Sequence, residues 1–535
     1  MNAADKYILA IDHGTSGIKA ALISIHGQVR DFTFQATATR YLDDGGVEQD
    51  PEEWWQAILA VTARLAGRRA VRPAAVAAVS VSSTFSSTVA VDRQGRPLMN
   101  GITWMDTRGG PYIKQAMGGF PEFQGYNLGK ALRWIRRTGG APTLSGKDDI
   151  GHLLFIRHRH PEIYEKTHCF LPSKDYLNFK LTGVMAATLD SAHLFWVSDI
   201  RHLDRAGYDD RLITAFGIDK AKLPPLLRST DILGTVTPEV AAQMGLAPHT
   251  PVVAGSPDHQ TACIGSGAVA DFAGHVYIGT SSWVQCLVPF KKTDPFHSVA
   301  SLPTAIPDRY QAVNEQDMAG EALDLIRHLL DGGHDPDRAA AAVSYEQLTG
   351  LAATAPAGSH DLIFTPWLNG ERTPVDDETI RGSLFNIKTT TDRADVIRAV
   401  LEGVAYNNRW SLTYVEKFIR RPLNPLNMIG GGACSDLWCQ IFADVLDRDI
   451  RQVKDPMQAN ARGAAFIAAV GLGEIAFADI PDLIEYTGHF APNPDHRAAY
   501  DRLYAAFLRL YRAHRKICRV LNRRKEPSCR RPAPP

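Results

Sequence analysis

Residues 252–286, VVAGSPDHQTACIGSGAVADFAGHVYIGTSSWVQC, constrain the fold more than any other stretch of the chain. An apolar run, Val252-Val253-Ala254, enters a Gly-Ser-Pro turn that delivers Asp258. The segment that follows is rich in Gly and Ala, which predicts a helix packed closely on its neighbours. A strand-like run, Val276-Tyr277-Ile278, then ends in Gly279-Thr280-Ser281-Ser282. A carboxylate after one strand and a glycine-hydroxyl turn after another suit the movement of a proton beside a phosphate, because small hydroxyl residues in a tight turn offer side-chain and backbone donors. Taken alone, such a turn is equally an ordinary β-turn, since turns favour these residues. A partner near the start of the chain changes that balance.

There Tyr7 to Ile11 reads as a short buried strand and runs into Asp12-His13-Gly14-Thr15-Ser16-Gly17, after which Ile18 to Ile23 is a second strand. The two form a hairpin. Asp12, at the exit of the first strand, is placed to hold Mg²⁺ through water. Thr15 and Ser16 are placed to bond phosphate oxygens, with Gly14 and Gly17 letting the backbone approach. No GxxxxGK[ST] is present, so this is not a Walker loop. Strand, hydroxyl-glycine turn, strand thus occurs in both halves, which predicts two similar α/β lobes facing a cleft.

Between and beyond these units lie a third strand over Gln28 to Ala38, a helix entered through Asp50-Pro51 and running Glu52 to Leu65, and a strand over Val76 to Val81. The polar tip Thr84-Phe85-Ser86-Ser87 and the segment Thr103 to Arg108 are candidate walls for a small polar ligand. Asp106 and Arg108 would grip hydroxyls or, on spacing alone, form a surface salt bridge. Residues 110–150 read as Gly-rich and irregular. Pro224, Pro225 and Pro248 mark an expected lobe boundary, dividing the chain into 1–250, 251–490 and a terminal helix with a basic, disordered tail over 491–535. Leu426 to Ile429 is a strand leading to Gly430-Gly431-Gly432-Ala433-Cys434-Ser435 and then a helix over Asp436 to Leu446. Strand, glycines and helix N-terminus make a docking place for a nucleotide, or a simple tight turn.

Composition excludes several alternatives. Lys plus Arg and Asp plus Glu balance at 58 each, so no global charge draws the chain to nucleic acid or acidic lipid. No apolar run is long enough for a transmembrane helix, and the start lacks the pattern of a signal peptide. The cysteines, seven and scattered, predict reduced thiols and a cytoplasmic location.

With these residues on the page, the chain resembles the FGGY family of carbohydrate kinases, most closely its xylulose-kinase branch. The likeness runs from Tyr7 to about Leu510 and comes in family order: DHGTSGIK at 12–19, EQDPEEWW at 48–55, WMDTR at 104–108, LPSKDYLNFKLTG at 171–183, GSPDHQTACIGSG at 255–267, GTSS at 279–282, LNGERTP at 368–374 and GGGACSDLWCQIFAD at 430–444. The resemblance implies an α/β fold of two ribonuclease-H-like lobes, shared with actin, hexokinase and heat-shock ATPases, around a central cleft. It implies ATP with Mg²⁺ as phosphoryl donor and a small sugar or polyol as acceptor. By motif position Asp258 is the catalytic base, with Asp12 and Asp258 as the metal carboxylates. Gly14, Thr15, Ser16 and Lys19 form the first phosphate loop and Gly279, Thr280 and Ser281 the second, with Gly431, Gly432, Ala433 and Ser435 by the adenosine.

An aspartate at its reference pKa of about 3.9 would be ionised at neutral pH. The departures concern the acceptor. Thr84, Phe85, Ser86 and Ser87 stand where xylulose kinases carry Gln-Met-His-Gly and glycerol kinases Gln-Arg-Glu, which argues against glycerol. His259 stands where those families have Asn or Gln and can still bond a hydroxyl. A catalytically idle sugar sensor on the same scaffold would be free to lose Asp12, Thr15, Asp258 and Thr280, and all four are present. A homodimer is compatible with the sequence.

Overall fold

The computed structural model describes residues 6–330 and 343–522. The first lobe is built on a six-stranded sheet. Its strands are β1 (Tyr7–Gly14), β2 (Gly17–Ser24), β3 (Val29–Ala36), β4 (Val76–Ser83), β5 (Ile232–Thr235) and β6 (Pro251–Val253), in the order β5-β6-β4-β1-β2-β3. β1, β4 and β6 are parallel, while β2 and β3 fold back antiparallel. Alternation along β1 explains why both sheet faces are covered. Leu9 and Ile11 join the cluster with Trp54, Ile58 and Val61 of helix α1 (Pro51–Arg68), whereas Ile8 and Ala10 join the opposite one. Asp50 caps α1 by accepting from the Glu52 N–H at 2.9 Å, with Pro51 in the first turn. Helix α2 (Ser173–Thr182) ends at Gly183, whose φ of 76° fits the residue expected there.

β6 corrects the expected boundary. It is hydrogen-bonded beside β4 in the first sheet, so the prolines 224, 225 and 248 punctuate the first lobe and do not end it. Residues 110–150 are also more regular than their composition suggests. Gly110–Met117 and Leu128–Thr138 are helices, the latter capped by Asn127 and buried through Trp134. The glycines that masked the pattern sit at the helix ends, as Gly139 does at φ 82°.

Helix α3 (Asp258–Gly265) leads into the second lobe and its eight-stranded sheet. At the centre of that sheet β7 (Gly274–Ile278) forms a hairpin with β8 (Ser282–Val288). β7 runs parallel to β9 (Leu426–Ile429), repeating the arrangement of β1, β2 and β4. Helices α4 (Arg393–Ile419), α5 (Asp436–Leu446), α6 (Ala459–Gly471) and α7 (Pro494–Leu521) complete the scaffold. α7 is integral to the second lobe, since Tyr500, Phe507 and Tyr511 are buried in its core. The tail expected to be disordered, 523–535, lies outside the described residues.

α3 and α6 cross where only glycine fits. A Cβ on Gly265 would stand 1.8 Å from the Ala459 carbonyl oxygen, and one on Gly463 1.9 Å from that of Thr261. Both helices bury their apolar residues with β1, β4 and β8 in one cluster, which joins the two lobes beneath the cleft. The small-residue stretch after Asp258 is therefore the condition for bringing α3 and its Asp258 against the sheet.

Candidate active site

The two hairpin tips face each other across a cleft of about 3830 Å³. That is several times a single small-molecule pocket, so it has room for a nucleotide and a second ligand. Asp12, Gly14, Thr15, Ser16 and Lys19 line it from the first lobe. Gly279, Thr280, Ser281, Gly431, Gly432 and Ser435 line it from the second, and Asp258 and His259 lie among them.

The first tip is short because Gly14 pairs directly with Gly17. Its backbone is held by Gln49, whose amide donates to the Thr15 carbonyl at 2.8 Å, and the Trp104 indole N–H donates to Thr15 Oγ1 at 3.0 Å. Asp12 and Lys19 are cross-strand neighbours, which sets Nζ 3.6 Å from the carboxylate. Burial raises the Asp12 pKa against the opposing pull of Lys19 and of Asn460 in the first turn of α6. At the second tip the carbonyls of Gly279 and Thr280 accept from the N–H groups of Gly320 and Ala319, both at 2.8 Å. A Cβ on Gly320 would meet the Gly279 oxygen at 2.6 Å, so the approach depends on that glycine. Beyond β9, Gly430 adopts φ +89°, Gly431 faces open space, and Ser435 caps α5 by accepting from the Trp438 N–H at 3.2 Å.

Asp258 stands in the first turn of α3. It accepts from the His259 N–H at 2.9 Å, and the Phe85 N–H also favours its charged form. Desolvation by burial and the nearby carboxylates of Glu315 and Asp12 nonetheless raise its pKa well above the usual carboxylate range. Burial and these carboxylates therefore work against the ionised Asp258 that the reference pKa suggested. The turn before Asp258 hangs on a buried network in the first lobe. Lys174 Nζ donates to the Ala254 carbonyl at 2.9 Å and to Asp175 at 2.5 Å, and Asn178 donates to the same carbonyl at 2.7 Å. Asn178→Ala should leave the charged pair intact but loosen this turn, lowering kcat by about tenfold, the worth of roughly one hydrogen bond, with the ATP KM unchanged in steady-state kinetics.

His259 is stacked on Trp283 at 4.2 Å, and Trp283 on Tyr277 at 4.0 Å, the latter two being cross-strand partners. The Phe85 ring lies 5.8 Å from His259. Thr84, Phe85 and Ser86 all line the cleft, although the Ser86 hydroxyl is turned to the Lys147 carbonyl at 2.7 Å.

Two expected ligand contacts are corrected. Asp106 is buried and its carboxylate accepts from the Val47 N–H at 3.0 Å and the Arg108 N–H at 2.8 Å, as well as from the Arg108 guanidinium, so it grips the chain and no hydroxyl. Arg108 reaches the cleft wall but is paired with Asp106 and Glu48 at 2.7 Å each; the pair is buried, not a surface bridge. Ala433 is fully buried, its N–H donating to the Gly430 carbonyl, so it supports the Gly430–Ser435 turn from behind and does not line the cleft. Sequence reading passed over Trp104, Asn460, Glu315 and Arg372. Trp104 and Arg372 stood inside quoted motifs, but the indole bond to Thr15 and the pairing of Arg372 with Glu315 and Asp317 join residues far apart in the chain.

The comparisons with known proteins decide the family. The model for the N-terminal domain of the FGGY family of carbohydrate kinases matches residues 7–265, and that for its C-terminal domain matches 274–472. The chain belongs to the FGGY family of carbohydrate kinases. The FGGY N-terminal match includes β6 and α3, in agreement with the sheet. The chain is 29% identical over 525 residues to a xylulose kinase of Staphylococcus epidermidis, covering 95% of this chain and 97% of that one. It is 27% identical over 523 residues to a gluconokinase of Bacillus subtilis, covering 95% and 96%. A ligand-bound xylulose kinase of Lactobacillus acidophilus superposes with a TM-score of 0.81 at 25% identity, over 95% of this chain and 98% of that one. This FGGY protein is thus an ATP-dependent carbohydrate kinase with the two-lobed actin and hexokinase architecture. No described helix is long and apolar enough to cross a membrane.

Proposed function

We propose that the protein transfers the γ-phosphoryl group of ATP to the 5-hydroxyl of a ketopentose, D-xylulose, with Asp258 as general base. The observation that carries this reading is the whole-length likeness to the Staphylococcus epidermidis xylulose kinase, combined with the Asp258 carboxylate lining the cleft beside His259. The electrostatics favour an uncharged acceptor over gluconate. Arg372, close enough to influence His259, is already matched by the carboxylates of Glu315 and Asp317.

The donor set fits a divalent cation. Asp12 lies close enough to Asp258 to disfavour its ionisation, and Lys19 Nζ stands 3.6 Å from Asp12. Among the described residues no group of three or more His, Cys, Asp or Glu forms a cage. That matches Mg²⁺, which is held by one or two carboxylates plus water and phosphate oxygens. Bound there, Mg²⁺ would neutralise charge on the phosphates. Thr15, Ser16, Thr280 and Ser281 supply donors to the phosphate oxygens, and the Gly430–Ser435 turn receives the nucleoside. Asp258 orients the acceptor hydroxyl and takes its proton as the bond to phosphorus forms. The buried free thiols of Cys169, Cys263, Cys286 and Cys439 suit a reducing cytoplasm.

The test is ADP release with ATP and Mg²⁺ across D-xylulose, D-ribulose, gluconate, erythritol and glycerol. D-Xylulose should give the highest kcat/KM. Preference for gluconate would overturn the acceptor assignment and leave the kinase intact.

A further inference from the structure

We propose that Gln285 governs recognition of the acceptor sugar by fixing His259 as a neutral Nε2–H donor beside the base. The proposal rests on the reading that this cleft phosphorylates a sugar. Gln285 and Trp283 are two apart on β8 and so project from the same face. One stacks on His259 and the other bonds to it.

The proton's position follows from obligatory acceptors. The Asn314 carbonyl oxygen can only accept, so the Gln285 atom 2.7 Å from it is the amide nitrogen. The same nitrogen lies 2.7 Å from His259 Nδ1, and its second hydrogen goes there. Nδ1 is then an acceptor, and the ring's proton is on Nε2. A second amide secures this arrangement. Gln311 Nε2 donates to the His259 carbonyl at 2.9 Å and to Gln285 Oε1 at 2.6 Å. Turning the Gln285 amide over would set its oxygen against the Asn314 oxygen and its nitrogen against the Gln311 nitrogen. Both glutamines are fully buried, so no solvent relieves that conflict.

His259 Nε2 has no hydrogen-bond partner among the described residues, and the residue lines the cleft one position after Asp258. A neutral Nε2–H donates and cannot accept. It therefore calls for a lone pair on the sugar oxygen next to the hydroxyl whose proton Asp258 takes. Gln285 touches no substrate and is a positioning residue.

The test compares wild type with Gln285→Glu and Gln285→Leu. Glutamate in place of the amide draws the ring proton to Nδ1, and leucine leaves Nδ1 without a donor. Each variant should raise the KM for D-xylulose about tenfold, the worth of one hydrogen bond, and leave the ATP KM unchanged. Nitrogen-15 NMR of the ligand-free protein should show His259 as the Nε2–H tautomer, moving to Nδ1–H in Gln285→Glu, with the signal assigned by its loss in His259→Asn. An Nδ1–H or doubly protonated ring in wild type overturns the proposal, as does an unchanged sugar KM in both variants. If wild type phosphorylates neither D-xylulose nor gluconate, the functional reading fails, while the tautomer still tests the hold of Gln285. The wild-type spectrum also decides that hold if neither variant folds.

Discussion

Asp258→Asn is expected to fold, to keep ATP binding, and to turn over roughly 10²–10⁴-fold more slowly than wild type, the usual loss for a general base. It is also expected to be more stable near neutral pH. The folded-state pKa of Asp258 is raised well above the ordinary carboxylate value by burial, Glu315 and Asp12. Between the unfolded and folded pKa values the native state binds more protons than the unfolded state, so this carboxyl lowers stability progressively as pH rises through that window. Asparagine removes the contribution. The gain in Tm should therefore be near zero at pH 4 and grow toward neutrality, and a flat or negative difference would show that the carboxyl is not disfavoured in the fold. The same shift has a kinetic face. A base must be ionised, so the acidic limb of kcat/KM should fall above the ordinary carboxylate range, and a limb near pH 4 would contradict the burial argument.

Gly463→Ala should be among the most damaging methyl additions at the described residues. The added Cβ would sit 1.9 Å from the Thr261 backbone oxygen, which cannot swing aside as a side chain can. α3 and α6 must separate, at a cost of about 3 kcal/mol or more, the upper end of overpacking. Because α3 carries Asp258 and α6 carries Asn460 beside Asp12, activity should fall with stability. Gly67→Ala in α1, where no atom lies within 4 Å of the added carbon, is the contrast. It should be neutral or stabilising by up to about 1 kcal/mol. Urea unfolding midpoints measure both, and equal midpoints would refute close packing at the α3–α6 crossing.

The parts of the site that are local in sequence were legible there. Asp12, Thr15 and Ser16 fall on one hairpin whose strands are short apolar runs, and Asp258 follows a strand and a turn within a few residues. The helices 393–419, 436–446 and 494–521 carry side-chain caps that survive without tertiary context. What escaped depends on contacts across the chain. β6 has only three residues, and nothing in Pro-Val-Val tells which sheet will take it. Asp106 and Arg108 look like ligand-binding groups until Glu48, sixty residues away, completes a buried ion triad. The perturbed carboxyl of Asp258 likewise arises from burial and then from Glu315, in a loop that no local pattern links to it. Gln285 sits in an apolar strand as an unremarked amide, and only the fold sets it against His259.

The most direct measurement is the stoichiometry of phosphoryl transfer by wild type with ATP, Mg²⁺ and D-xylulose, followed as ADP and as sugar phosphate by phosphorus-31 NMR. The account predicts one D-xylulose 5-phosphate for each ADP, negligible ADP without sugar, and loss of both signals in Asp258→Asn. ADP released at the same rate without any sugar, or undiminished sugar phosphate from Asp258→Asn, would contradict it.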